Sequence, residues 1–223
     1  MTIERCSVIF DLDGTLVDSS PGIISSLNAA FEATGIKPIR EPSPSMIGPP
    51  LRETLLHLSP SPENAIIDQL SATFKAHYDS IGFQGTRPFL GANEMLLGLR
   101  DANITLYIAT NKRQVPTSLI LDALHWSSLF AQSCSPDSFS PPARDKAEIL
   151  TKLIAVQNHS PLKYLYVGDR IDDFYAAKQV GIPFALADWG FDGDDAALSS
   201  DAIRLRSPDA GFILNQFTEQ FQS

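Results

Sequence analysis

Cysteine is almost missing from this chain of 223 residues: Cys6 and Cys134 are the only two. Neither a disulfide framework nor a zinc-ligand spacing can be built from them, and they read as two reduced, buried thiols. Positive charge is also short. The 17 Lys and Arg stand against 26 Asp and Glu, a formal net charge of -9. Nucleic-acid backbones and anionic membranes repel such a surface, so neither is an expected partner. An acidic chain can still take an anionic ligand where a metal and a few basic side chains make the cleft locally positive. Long apolar runs are absent too. Nothing approaches the ~20 apolar residues of a membrane-spanning helix. The opening Met1–Ser7 lacks the basic start and apolar stretch of a secretion signal, so the cytoplasm is the expected location.

What the chain does contain is an ordinary share of apolar residues, 43%, enough for a sizeable core. Five short runs concentrate them: Ser7–Asp11, Ile104–Thr110, Leu129–Ser133, Tyr164–Asp169 and Pro183–Asp188, with Ala202–Leu205 as a weaker sixth. Near-continuous apolarity without alternation predicts strands buried on both faces. Helical patterns fall between them, over Ala92–Ala102, Val115–Leu124 and Lys146–Val156. Strands alternating with helices of this length predict an α/β fold with a parallel sheet and right-handed crossovers.

The alternation fails between Val17 and Arg87, where only helical patterns occur. Ser20-Pro21 reads as an N-cap followed by proline, with Gly35 as the stop; Ser61-Pro62-Glu63 repeats the start signal. Pro42–Pro50 reads as a loop, and the glycine-bearing Gly82–Gly91 as a hinge. The expected organisation is therefore a core of residues 1–16 and 88–223 with a helical cap, 17–87, inserted after the first strand. The polar tail from Asn215 is expected to fray.

Three predicted strands end in polar residues, Asp11, Thr110 and Asp169. Open parallel sheets bind ligands beyond the carboxyl ends of their strands, so these side chains are expected to meet. In Asp11-Leu12-Asp13-Gly14-Thr15 two acids two residues apart share a side of an extended chain, and Gly14 permits a sharp turn. One carboxylate can attack an electrophile while the other manages a proton. Two such acids repel unless a cation joins them, and magnesium suits one or two carboxylates plus water and phosphate.

The run DLDGTLVDS resembles the first motif of the haloacid dehalogenase (HAD) superfamily. Thr110-Asn111-Lys112, ending a strand, is similar to the second motif, Lys146 to the third-motif lysine, and Gly168-Asp169-Arg170-Ile171-Asp172-Asp173 to the acidic fourth motif. Phe89-Leu90-Gly91, Asp188-Trp189-Gly190-Phe191 and Ile47-Gly48-Pro49-Pro50-Leu51 look like the phosphoglycolate-phosphatase-like branch. The resemblance spans nearly the whole chain. It implies a Rossmann-like core, a helical cap, and magnesium-dependent hydrolysis of a small phosphorylated metabolite. Asp11 would become an aspartyl-phosphate and Asp13 would serve as general acid and base. Magnesium would rest on the Asp11 carboxylate, the Asp13 backbone carbonyl and Asp169. Thr110, Asn111 and Lys146 would bind the phosphoryl group, and Asp173 would support them, with Asp172 as the less favoured alternative.

Some positions stay open at this point. Ala147 follows Lys146 where the family often has proline, and Arg144 competes with Lys146. Arg52 reads either as a substrate-binding arginine or as a solvated helix-start charge, and Arg170 as a substrate contact or a surface residue. His57, His77 and Trp126 read as structural, and Trp189 as a packing residue near the cleft rim. Asp13 and the acidic fourth motif argue against dehalogenation. Lys37 and Lys75, the cap lysines, sit in no motif for Schiff-base phosphonate hydrolysis, and IGPPLRETL replaces the cap pattern of sugar phosphomutases. Pyrophosphatase, nucleotidase and a non-catalytic phosphate-binding regulator remain alternatives. A monomer and a homodimer are both compatible with the sequence.

Overall fold

The computed structural model of the chain describes residues 6–157, 164–191 and 203–220. Six parallel strands form one sheet. They are β1 (Ser7–Phe10), β4 (Thr105–Ala109), β5 (Gln132–Cys134), β6 (Tyr164–Gly168), β7 (Phe184–Ala187) and β8 (Ile203–Leu205), in the order β5-β4-β1-β6-β7-β8. A two-residue antiparallel ribbon, β2 (Val17–Asp18) with β3 (Arg87–Pro88), stands apart from it. The fold is the α/β, Rossmann-like one expected.

Alternating side chains of the central strands divide between two cores, because successive residues of a strand face opposite ways. Val8, Phe10, Leu106, Ile108, Leu165 and Val167 enter one cluster, shared with α4 (Ala92–Asp101) and α8 (Ala210–Gln220). Ile9, Tyr107, Ala109, Tyr164 and Tyr166 enter the other, under α6 (Lys146–Gln157) and α7 (Ile171–Val180). Helices on both faces explain the unbroken apolarity of the strand sequences. Trp126, 2% exposed, follows α5 (Gln114–Ala123) and anchors its end, its indole N–H donating to Asn93 Oδ1 at 3.2 Å.

Three helices lie between β2 and β3: α1 (Ser20–Thr34), α2 (Leu51–Leu58) and α3 (Asn64–Ser80). They bury a third cluster of their own, centred on Leu27, Phe31, Leu55, Leu58, Leu70 and Phe74. Each fully buried leucine or phenylalanine contributes roughly 1.5–3 kcal/mol by leaving water, so this layer has its own source of stability.

Several boundaries differ from the sequence reading. The edge strand β5 starts three residues after Leu129, because Leu129 and Phe130 are spent on packing beside Trp126. Helix α1 takes Ser20 as its first residue, and Ser20 bonds Asp18 Oδ1 through both N–H and hydroxyl instead of capping. The second start signal is displaced as well, with α3 beginning at Asn64. Past Asn215 the chain stays helical, α8 continuing to Gln220 with Ile213 and Phe217 buried. Of the weak sixth strand, Ala202 lies outside the described residues and Ile203–Leu205 is β8.

The joint between α1 and the turn after α3 is unusually tight. A Cβ added at Gly22 would lie 2.0 Å from the Gly82 carbonyl oxygen, a backbone atom that cannot step aside alone. Over-packing of this kind costs about 1–3 kcal/mol. Gly22→Ala is therefore expected to lower the urea midpoint by that equivalent with an unchanged m-value, and an unaltered midpoint would show the joint to be looser.

Candidate active site

Parallel register gathers the polar strand ends. Phe10 pairs with Ile108 on one side and Val167 on the other, so Asp11 falls beside Ala109 and Gly168. Thr110 and Asp169 follow one residue later. Three residues distant in sequence, Asp11, Thr110 and Asp169, thereby reach one edge of the sheet, and Lys146 joins them from the first position of α6.

All of these side chains are buried: Asp11 6% exposed, Thr110 1%, Lys146 6%, Asp169 0% and Asp173 2%. The Lys146 ammonium lies 2.9 Å from Asp11 Oδ1 and 3.0 Å from Asp173 Oδ1. It also donates to the Ala109 carbonyl (3.2 Å) and to the Tyr166 hydroxyl (3.0 Å). Tyr166 in turn donates to Asp173 Oδ1 at 2.7 Å. Arg144, by contrast, projects into solvent and pairs with Glu148, so of these two cations Lys146 is the one that lies in the cluster. Asp172 is exposed while Asp173 is buried, so Asp173 alone reaches the cluster.

Asp169 is held by the Thr15 hydroxyl at 3.0 Å and the Phe191 N–H at 2.9 Å. The acidic turn approaches it closely. Gly14 has φ +84°, and a Cβ there would lie 2.2 Å from Asp169 Oδ2. Only glycine satisfies both the left-handed backbone and the contact. Trp189 packs at the same rim and donates its indole N–H to the Thr15 carbonyl at 2.9 Å.

Carboxylate oxygens of Asp11, Asp169 and Asp173 lie within 4.8 Å of one another. Burial pushes Asp11 up to about 6; Lys146 opposes that shift, and Asp173 and Asp13 reinforce it. Asp169 is raised well above the usual range by burial, then by Asp173 and Asp11. Burial works against the charge on Lys146, but Asp11 and Asp173 outweigh it and hold the ammonium above its ordinary pKa. Asp11 Oδ1 is buried, and its contact is the Lys146 ammonium at 2.9 Å, with no further hydrogen-bond donor. A buried, under-bonded carboxylate oxygen facing two further acids fits a hard divalent cation with oxygen ligands.

Asp13 points elsewhere. Its carboxylate accepts from the Ser19 hydroxyl at 2.5 Å and faces Lys112 Nζ at 3.0 Å, and it lines a cavity of about 570 Å³ between the sheet edge and the helices α1–α3. Asp11, Thr110 and Asn111 open onto the same cavity. Arg52 reaches its rim but is turned to Asp68 and Asn64, each at 2.6 Å. Arg170 neither binds at the floor nor faces solvent freely: its Nη1 donates to the Ile47 carbonyl at 2.8 Å, across to the segment before α2.

Lys112, Tyr166, Thr15 and Ser19 carry no role in the sequence reading. Lys112 contacts Asp13, donates to the Tyr78 hydroxyl at 3.0 Å and lies over the Tyr78 ring. Its neighbour Arg113 forms a two-point pair with Asp79, so consecutive residues grip the end of α3. The signal for Tyr166 was available, because a tyrosine inside a fully buried strand needs a partner for its hydroxyl. His77 serves the helical layer, bonded to Ser26 at 2.9 Å.

The raised Asp11 value has a sign that can be checked. Between its ordinary 3.8 and about 6, the cation-free folded chain keeps a proton that the unfolded chain has released. Stability contributed by this group is therefore lost as pH rises through that window. Chelator-treated wild type should lose stability relative to Asp11→Asn from pH 4 to 6.5 in urea titrations, and the gap should narrow with a divalent cation. A constant difference across the window would contradict the burial argument.

Comparisons with known proteins agree with this geometry. A family model for haloacid dehalogenase-like hydrolases matches residues 8–187. The phosphoglycolate phosphatase of Xylella fastidiosa is 32% identical over 191 residues, 83% of this chain and 81% of that one. The tyrosine-protein kinase PtkA of Mycobacterium tuberculosis is 32% identical over 187 residues, 82% of this chain and 62% of that one. A haloacid dehalogenase-like family hydrolase from Streptococcus pneumoniae superposes with a TM-score of 0.80 at 26% identity, covering 97% of this chain and 100% of that one. A match of this length, running through the strands that deliver Asp11, Thr110 and Asp169, makes the chain a member of the haloacid dehalogenase-like hydrolase family.

Proposed function

We propose that the chain is a magnesium-dependent phosphatase that hydrolyses a small phosphate monoester through an aspartyl-phosphate on Asp11. The observation that carries this reading is the division between the two acids of one turn. Asp11 sits at the buried floor beside Lys146, while Asp13 faces the cavity between Ser19 and Lys112. A nucleophile and a proton carrier need that separation.

Asp11 attacks phosphorus, and the leaving oxygen takes a proton from Asp13. Asp13 then removes a proton from the water that cleaves the acyl phosphate, returning both acids to their starting states. Phosphoryl transfer requires charge neutralisation and positioning above all. The Thr110 hydroxyl and Asn111 amide supply donors at the cavity floor, and Lys146 supplies a fixed positive charge. Asp173 and Tyr166 hold that ammonium in place, so they act through Lys146 rather than on the phosphoryl group. Asp11 and Asp169, with the Asp13 backbone carbonyl, would hold magnesium, and Asp173 is near enough to orient its water. When bound, the ion would neutralise charge on the transferring phosphoryl oxygens.

Residues 17–87 act in this reading as a cap that closes over the leaving group and excludes water. Lys112, Arg113 and Arg170 join that layer to the core, which supports a cap seated by side-chain contacts on two sides. The acidic surface suits a cytoplasmic enzyme acting on a small phosphorylated metabolite. Arg52 would reach such a ligand only by leaving Asp68, a half-exposed pair of the kind worth about 0–1 kcal/mol.

Turnover of p-nitrophenyl phosphate tests the reading. Magnesium should support hydrolysis and chelator should abolish it. Asp11→Asn should fall to background, and Asp13→Asn by roughly 10²–10⁴-fold, the usual contribution of a general acid-base group. Wild-type rates in Asp11→Asn would overturn the assignment.

A further inference from the structure

The cavity is larger and more apolar than a phosphorylated two-carbon acid requires. At about 570 Å³ it lies within the roughly 300–1,000 Å³ of pockets that enclose drug-sized ligands. Its walls above the acids include Ile23, Leu27, Met46, Ile47, Leu51 and Phe74. Phe74 stacks on Tyr78 with ring centroids 5.5 Å apart and planes 8° from parallel, so α3 contributes an aromatic face to the cavity wall. A two-carbon leaving group would leave most of this surface to water.

The lining cations are not equivalent. Arg52 is engaged by Asp68, Arg113 by Asp79, and Lys112 by Asp13 and Tyr78. Among the described residues that line the cavity, Lys75 is the cation with neither an ion pair nor a hydrogen bond. It is half-buried on α3, on the same face as Ser71 and Tyr78, which also line the cavity. It sits three residues before Tyr78, about 4.5 Å along the helix axis, beyond the Tyr78–Lys112–Asp13 contact and so away from the phosphoryl floor. A lysine that lines the cavity without an ion pair or hydrogen bond, beside apolar walls, is a site for an anion at the far end of a ligand.

We propose that the cavity takes a phosphate monoester whose leaving group has an apolar body and a distal carboxylate, and that Lys75 receives the carboxylate. This rests on the phosphatase reading and adds the class of leaving group. The phosphoryl group occupies the floor at Asp11, the apolar body lies against Phe74 and the α1 side chains, and the carboxylate meets the Lys75 ammonium.

Matched aryl esters test it with the full chain and magnesium: phenyl phosphate, 4-carboxyphenyl phosphate, 4-(aminomethyl)phenyl phosphate, and 2-phosphoglycolate for size. In wild type, kcat/KM for the carboxylate ester should exceed that for the aminomethyl ester at least tenfold and exceed that for 2-phosphoglycolate. Lys75→Met should reduce the carboxylate-to-aminomethyl ratio about tenfold, the scale of one charge-assisted contact, and Lys75→Glu should invert it. Intrinsic leaving-group differences are the same for every variant, so changes in the ratio report the residue. Ratios unchanged by Lys75→Glu, or a preference for 2-phosphoglycolate over every aryl ester, would overturn the inference while leaving the phosphatase reading intact. No turnover of any ester would instead remove the phosphatase reading, and this inference with it.

Discussion

Burying several carboxylates at one sheet edge is the constraint on which the site depends. Asp11, Asp169 and Asp173 bring oxygens within 4.8 Å of one another in a nearly dry place. Such a cluster is unstable without positive charge, since each acid lost from water must recover its solvation from a partner. Lys146 supplies part of it, bound to two acids, a carbonyl and a phenol at once. Its removal would leave uncompensated buried charge. Burial still pulls Asp11 and Asp169 toward their protonated forms, with Lys146 opposing the shift at Asp11, and the magnesium proposed above would add positive charge at the same place.

The rest of the chain can be read as what holds that cluster in register. Parallel pairing sets Asp11 beside the ends of β4 and β6, and helices on both faces make the pairing rigid. Gly14 lets the acidic turn press against Asp169, while Thr15 and Phe191 fix the two oxygens of that residue. Above this edge the helical layer is tied down by charged contacts on two sides, Lys112 and Arg113 to α3 and Arg170 to Ile47. Floor and roof therefore have different physical characters. The floor is charged, buried and stiff, whereas the walls are apolar and supplied by separate helices, which suits one chemistry applied to a chosen leaving group.

Much of this was legible in the sequence, and for physical reasons. Strands buried on both faces announce themselves by unbroken apolarity, and acids at their ends are conspicuous because nothing in a core calls for them. Lys146 is reached through its likeness to the family's third-motif lysine, with Arg144 left in competition. Other features depend on three-dimensional neighbours. Arg144 lies just ahead of α6 and pairs with Glu148 in solvent, whereas Lys146, the helix's first residue, is buried against Asp11 and Asp173. The edge strand moved toward Cys134 because Leu129 and Phe130 pack beside Trp126, a tertiary demand that local pattern does not encode. Lys112 looked like the tail of a motif until α3 brought Tyr78 to it from 34 residues away. Arg52 pointed away from the floor because Asp68, on the next helix, reached it first.

The central claim is covalent: the phosphoryl group passes through Asp11. Acid quenching of the Asp13→Asn protein with substrate and magnesium, followed by peptide mapping, tests it most directly, since loss of the general base slows hydrolysis of the acyl phosphate. A hydroxylamine-labile phosphoryl group on the peptide containing Asp11 is the expected result. Turnover with no phosphorylated peptide, or a label on any other residue, would contradict it.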